Sequence, residues 1–178
     1  MAAAQYLPDA EFAPAPAGAR IRVATLLSIV AGLLASAAAV VLIWRDPHAP
    51  RPMIAVVGIP PAAMFLYWRA ARIRRYRLVG NELLVERAFR TVRFPLDSLL
   101  SVTPDREAMR RARKVYGNDG LGAISGRFRS KRLGSFRAYL TDAEHAVVLR
   151  WPDRCLVISP HQHSFFVATV CKRAGLSR

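Results

Sequence analysis

"VISPHQHSFFVATV", residues 157–170, joins a short apolar run to an amphipathic one through a Ser-Pro step. Its spacing predicts a strand that stops at Ser159 and a helix that starts at once. Ser159 suits the N-cap, and Pro160 suits the first helical position, where its missing N–H costs nothing. Gln162, three residues after Ser159, completes a capping box. Phe166, Val167, Val170 and Cys171 then form one apolar face, with Phe165 and Ala174 at its margins. Lys172 and Arg173, followed by Gly175, are the residue types favoured at a helix C-terminus. His161 and His163 stand two apart and do not share a helix face. No third ligand lies near them, so they read as solvent-facing residues of the first turn rather than a metal or acid–base site.

Upstream, short strand patterns alternate with turns. "RYRLVG" and "ELLVERAF" flank the turn pair Gly80–Asn81, and "RTVRFP" and "DSLLSVTP" follow. Then come "AISGRFRS", "SFRAYLTD", "HAVVLRWP" and "DRCLVISP". Few of these runs are long enough to hide both faces. The alternation of Phe136, Ala138 and Leu140 with Arg137 and Tyr139 predicts one buried and one wet face. The expectation is an antiparallel β-barrel or sandwich capped by the C-terminal helix, over residues 73–175.

The first third of the chain is different. "VATLLSIVAGLLASAAAVVLIW", residues 23–44, carries no charge and suits a helix crossing about 30 Å of hydrocarbon. "ASAAA" at 35–39 offers small residues for signal cleavage, but the apolar run continues through "VVLIW", which favours an uncleaved anchor. A second uncharged run, residues 52–68, contains Pro60–Pro61 and ends in Tyr67 and Trp68, residue types of the membrane interface. It reads as a kinked second span, joined to the first by "RDPHAPRP", whose basic residues are Arg45 and Arg51. Gly32, Ser36 and the alanines of the first span offer a small-residue face to another helix, in a membrane partner or a second copy. "RAARIRRYR", residues 69–77, follows with Arg69, Arg72, Arg74, Arg75, Arg77 and no acid. That asymmetry predicts both termini in the cytoplasm and the link outside. The leader, residues 1–22, is rich in Ala and Pro and is expected to be disordered.

The chain is 178 residues long, 53% hydrophobic, and carries a formal net charge of +15. Cys155 and Cys171 match no zinc or CxxC spacing and read as buried free thiols. "GNDGLG" at 117–122 lacks the lysine of a Walker loop. No serine sits in a GxSxG elbow, and Asp142, Glu144 and His145 read as a hairpin turn. The reading is therefore of a protein that is not an enzyme and holds no cofactor and no metal.

Three segments carry a resemblance to a known family: "YRLVGNELLVERAFRTVRFPLDSLLSV" at 76–102, "YGNDGLGAISGRFRSKRLGSFRAYLTD" at 116–142, and "VVLRWPDRCLVISPHQHSFFVATV" at 147–170. Over roughly residues 25–175 the chain resembles the bacterial pleckstrin-homology (PH)-like proteins that carry an N-terminal transmembrane hairpin. The resemblance implies a PH-like barrel on the cytoplasmic side of a bacterial inner membrane, with the hairpin in that membrane, and no defined ligand. The chain departs from the usual ending, where an acid often follows the Ser-Pro step and His161 stands here.

Function is then sought among basic residues. Arg72, Arg74, Arg75 and Arg77 follow the second span, and Arg127, Arg129, Lys131 and Arg132 lie near a strand-linking loop at Ser130–Gly134. Glycine and basic residues in that loop could cradle a phosphate. "REAMRRARK", residues 106–114, reads as a short surface helix. Anionic phospholipid of the inner leaflet is one ligand class, since juxtamembrane cations are worth roughly 1 kcal/mol each there. An acidic partner protein or membrane complex is the other, with the domain acting mainly as a docking platform. Nucleic acid is permitted by charge alone, but no nucleic-acid-binding module accompanies it.

Overall fold

In the computed structural model of the protein, residues 8–50 and 52–176 are described. Residues 1–7 of the leader and Arg51 of the link lie outside them. The leader supplies a strand rather than disorder: β1 (Ala10–Phe12) pairs antiparallel with β2 (Ile73–Val79), Phe12 opposite Tyr76. A bridge between Pro14 and Pro160 and a 2.8 Å hydrogen bond from Ala15 N to Ser159 O continue the attachment. The physical reason is burial: Phe12 sits in the core against Phe166, with ring centroids 5.0 Å apart in an edge-to-face pair.

Helix α1 (Ala19–Arg45) follows. After the link come α2 (Met53–Val57) and α3 (Ile59–Ala71), which meet at Gly58 just before Pro60–Pro61. At 1.5 Å per residue, α1 is about 40 Å long and α2 with α3 about 28 Å. Both Ala19–Arg45 and Met53–Ala71 are long and apolar enough to cross a membrane, and large side chains such as Leu26, Leu34, Leu42 and Leu66 are exposed. The small-residue face of α1 is occupied within the chain. A Cβ at Gly32 would stand 2.9 Å from Met64 Cε, and Ser36 Oγ lies 3.5 Å from Val57 O.

The rest folds as two sheets. The first has the order β1-β2-β3-β4, with β3 (Glu82–Arg87) and β4 (Thr91–Pro95). The second has the order β5-β9-β10-β8-β7-β6. Its strands are β5 (Ser101–Pro104), β6 (Arg113–Asp119), β7 (Ile124–Ser130), β8 (Gly134–Leu140), β9 (Val147–Arg150) and β10 (Cys155–Ile158). No hydrogen-bonded ladder joins the sheets among the described residues, so the core is a sandwich and not a closed barrel. Nor is every pair antiparallel: β10 runs parallel to β8, Val157 opposite Ala138.

Around β9, β10 and the end of β8 the six-stranded sheet is buried on both faces, so the expected wet face survives only toward β6 and β7, where Arg127, Arg129 and Arg137 are exposed. Tyr139, Leu149, Leu156 and Ile158 pack with Tyr76, Leu83, Val85 and Phe94 of the other sheet and with the last helix. On the opposite face Phe128, Phe136, Ala138, Leu140 and Val148 are covered by Ile21 of α1 and by Ala108.

That last helix, α4, spans His163–Ala174 and buries Phe166, Val167 and Val170. It ends at Gly175 in a left-handed conformation, as the sequence predicts, with the Gly175 N–H on Cys171 O. Its start differs. Gln162 is the N-cap and makes no side-chain cap bond. Ser159 is instead fully buried, where its Oγ accepts the Thr141 N–H at 2.8 Å. The hydroxyl cannot serve both ends, and the sheet takes it. His161 is exposed in the intervening turn and His163 opens the helix. Cys155 and Cys171 are free and only partly buried.

Candidate functional site

The two basic clusters of the domain meet. Arg110, Arg111 and Arg113 line one cavity of about 1300 Å³ together with Arg129, Lys131 and Arg132. Residues 106–111 reach it as consecutive turns, not as the expected surface helix. Asp105 Oδ1 accepts the Glu107 N–H at 3.0 Å, and Arg111 stands at φ 54°, a left-handed conformation that ends helical winding. From the other side β7 delivers Arg129, and the β7–β8 turn delivers Lys131 and Arg132.

Register concentrates the charge. Arg113 is the direct partner of Arg129 across β6 and β7, so both side chains leave the same face. Like charges placed directly opposite destabilise a sheet by roughly 0.2–1 kcal/mol. Only part of the cleft's charge is answered locally: Arg110 bonds Glu107 at 2.7 Å, and Arg132 bonds Asp105. Arg111, Arg113, Arg129 and Lys131 make no ion pair among the described residues. The backbone cradle expected at Ser130–Gly134 is partly filled from within, because Ser130 Oγ accepts the Leu133 N–H at 3.1 Å.

The other expected residues are dispersed. Arg127 lies over the Tyr116 ring, 5.9 Å from its centroid, and lines a separate cavity with Arg93, Arg137 and Arg154. Arg75 bonds Glu86 at 2.6 Å and Glu11 at 2.9 Å. Arg77 bonds Glu86 at 3.2 Å and reaches Asp9 at 3.7 Å. These two are thus neutralised by acids of β3 and of the leader. Arg72 lies 5.0 Å over Trp68, and Arg74 is exposed with no ion pair among the described residues.

Asp142 and His145 do form a turn: Asp142 Oδ1 accepts the Glu144 N–H at 3.1 Å, and Oδ2 lies 2.7 Å from His145 Nδ1. No group of three potential metal ligands occurs among the described residues.

The glycine-rich stretch 117–122 has a role that sequence reading missed. It is the tip of the β6–β7 hairpin, and it meets the helices. Thr25 Oγ1 donates to Gly120 O at 2.9 Å and accepts the Gly122 N–H at 3.0 Å. A Cβ at Gly122 would stand 2.9 Å from Trp68. The signal available was the run of glycines beside Asn118, whose side chain bonds Leu121 O and Ala123 O at 2.6 Å and shapes the tip. The basic cleft lies at the opposite end of the same hairpin, six residues away along strands that rise about 3.3 Å per residue, or about 20 Å.

Two packed sheets flanked by one C-terminal helix, with a surface cleft of charge, have the architecture of a PH-type binding module. Residues 74–174 match the bacterial PH domain family. The match covers more than half of the chain, and the chain belongs to that family. No curated protein and no solved structure matches it.

Proposed function

We propose that this protein is a two-span membrane protein that holds a PH-like binding module at the cytoplasmic face of a bacterial inner membrane, and that the basic cleft receives an acidic segment of a partner protein. The in-register pair Arg113–Arg129 carries the reading. Two cations opposed across a ladder, beside Arg111 and Lys131, which have no ion pair among the described residues, are relieved by an incoming anion. The cleft is too wide to enclose one phosphate, and it stands about 20 Å along the hairpin from the helix contact. Both facts favour an acidic peptide over a lipid headgroup at this place.

Anionic phospholipid is the second reading, and a different observation favours it. Arg72 and Arg74 follow α3 directly and are matched by no acid among the described residues, within reach of an anionic leaflet if α3 spans it.

The test uses the full chain in nonionic detergent with a fluorescent poly-glutamate peptide. Binding is expected to weaken with salt and to fall about tenfold or more in Arg113→Glu/Arg129→Glu. Equal binding by that variant would overturn the cleft as the site. Retention in membranes after alkaline carbonate tests the anchor separately.

A further inference from the structure

A third cavity, of about 290 Å³, opens where α3 meets the sandwich. Tyr67 forms its helix side, one residue before Trp68, which abuts the hairpin tip at Gly122. Arg87 enters from the end of β3, Arg90 from the turn before β4, and Arg137 from β8. Tyr116 and the opposed glycines Gly117 and Gly126 complete it, and no acid lines it.

No carboxylate among the described residues neutralises these arginines. None of the three makes an ion pair among the described residues, whereas Arg75 and Arg77 on β2 are both matched by acids. Arg137 stands directly opposite Arg127 across β7 and β8, a second like-charge pair. The Arg87 Nε is buried with no hydrogen-bond partner among the described residues. Natural folds satisfy buried donors, so an orphaned guanidinium donor beside an acid-free cavity marks a missing acceptor. A planar fork of donors fits the oxygens of a phosphate better than a point cation does. The volume lies at the small end of ligand pockets, about 300 Å³, suited to a headgroup and not to a peptide.

We infer that this pocket binds the phosphate ester of an anionic membrane lipid. The assignment rests on the reading of α3 as a membrane span, which puts Tyr67 and the pocket mouth in the headgroup layer. The same chemistry could be met by free phosphate, so the test separates the two.

Thermal unfolding of the full chain is followed in nonionic detergent with short-chain phosphatidic acid, phosphatidylcholine of equal chain length, or inorganic phosphate at matched ionic strength. Phosphatidic acid is expected to raise the midpoint by binding the folded state, and the other two to leave it unmoved. Arg90→Gln/Arg137→Gln, at two exposed positions, is expected to weaken the response at least about tenfold. Arg113→Glu/Arg129→Glu in the distant cleft is expected to keep it. An unchanged response in Arg90→Gln/Arg137→Gln would overturn the site, and an equal shift with inorganic phosphate would overturn the lipid. If alkaline carbonate releases the chain from membranes, the anchored reading falls and the lipid assignment with it. If the chain is retained and phosphatidic acid has no effect, only this inference falls.

Discussion

The hydroxyl of Tyr76, fully buried on β2, accepts the backbone N–H of Ser159 at 3.3 Å. It also donates to Tyr139 O at 2.8 Å, so one side chain of the first sheet satisfies two backbone groups of the second. Ser159 extends the link. Its Oγ accepts the N–H of Thr141 at 2.8 Å, Thr141 Oγ1 donates to Ala15 O at 2.5 Å, and Ala15 N donates back to Ser159 O. Sheet, sheet and leader thus share one buried polar network, and such networks specify a packing when every member is satisfied. Burial pushes the Tyr76 phenol well above its ordinary range, partly offset by its bonds to Ser159.

Tyr76→Phe keeps the ring and removes the bridge. It leaves Tyr139 O and Ser159 N without this partner, which costs about 1–3 kcal/mol. Thermal unfolding should show a lowered midpoint with unchanged secondary structure. An unaltered midpoint would mean that the two sheets are not joined through this hydroxyl.

Glu86 gives the fold an acid limit. The hydrogen bond from Arg75 leads in holding its carboxyl below the usual 4.5, with Arg77 adding to it against the opposing effect of desolvation. A depressed folded value means that the unfolded chain takes up the proton first. The stabilisation is complete above 4.5 and is lost as pH falls through the lower folded value. Glu86→Gln should therefore be less stable than the parent at neutral pH, and the gap should close as the medium is acidified below pH 4.5. Denaturant titrations at neutral and acidic pH read this directly. A gap independent of pH would mean that charge is not the cause.

Gly122 is a tight point of the joint between helices and sandwich. It sits at φ 75°, and a Cβ there would press on Trp68. Gly122→Ala combines backbone strain of about 1–3 kcal/mol with displacement of the indole. The emission of Trp68 should shift to the red and the chain near Arg72 should become open to trypsin, while unfolding of the sandwich itself changes little. Emission can be isolated with Trp44→Phe and Trp151→Phe in the background.

Strands with a strong period were legible in the sequence, and so were the turn at Gly80 and the apolar face of α4. What was missed depends on distant partners. β6 is charged and mostly exposed, and only its pairing with β7 makes it a strand. β1 has three residues, and its Phe12 gains a core position from Phe166, far along the chain. Ser159 met every local criterion for a cap, but a buried N–H from Thr141 competes for the same oxygen. The cleft residues were visible as two runs of charge. Their meeting follows from the register of Arg113 with Arg129, which no local pattern encodes. The pocket beside Tyr67 draws on α3 and on strands of both sheets, and its arginines are scattered singly.

Cys155 should be a slow thiol. Burial raises its value above the usual 9.0, and the nearby charge of Arg150 opposes this. Little thiolate forms near neutrality, and the thiolate is the reactive species. In Cys171→Ser, which leaves Cys155 as the one cysteine of the chain, alkylation by iodoacetamide at pH 7.5 should be much slower folded than in denaturant. Equal rates would place Cys155 in open solvent.

Phe12→Ala asks whether the leader belongs to the folded unit. An exposed or disordered phenylalanine can be removed within about 0.5 kcal/mol. Phe12 is 4% exposed, stacked edge-on against Phe166 and close to Phe165, with centroids 5.7 Å away. Removing so buried a ring from a core costs about 3–5 kcal/mol. The loss would fall on α4 as well as on β1, since Phe166 is a fully buried residue of that helix. Chemical denaturation should therefore show a single transition at a clearly lower midpoint, not the release of a frayed end. A midpoint equal to that of the parent would return the leader to the disordered state that its Ala-Pro composition suggests, and would detach Glu11 from Arg75 as well.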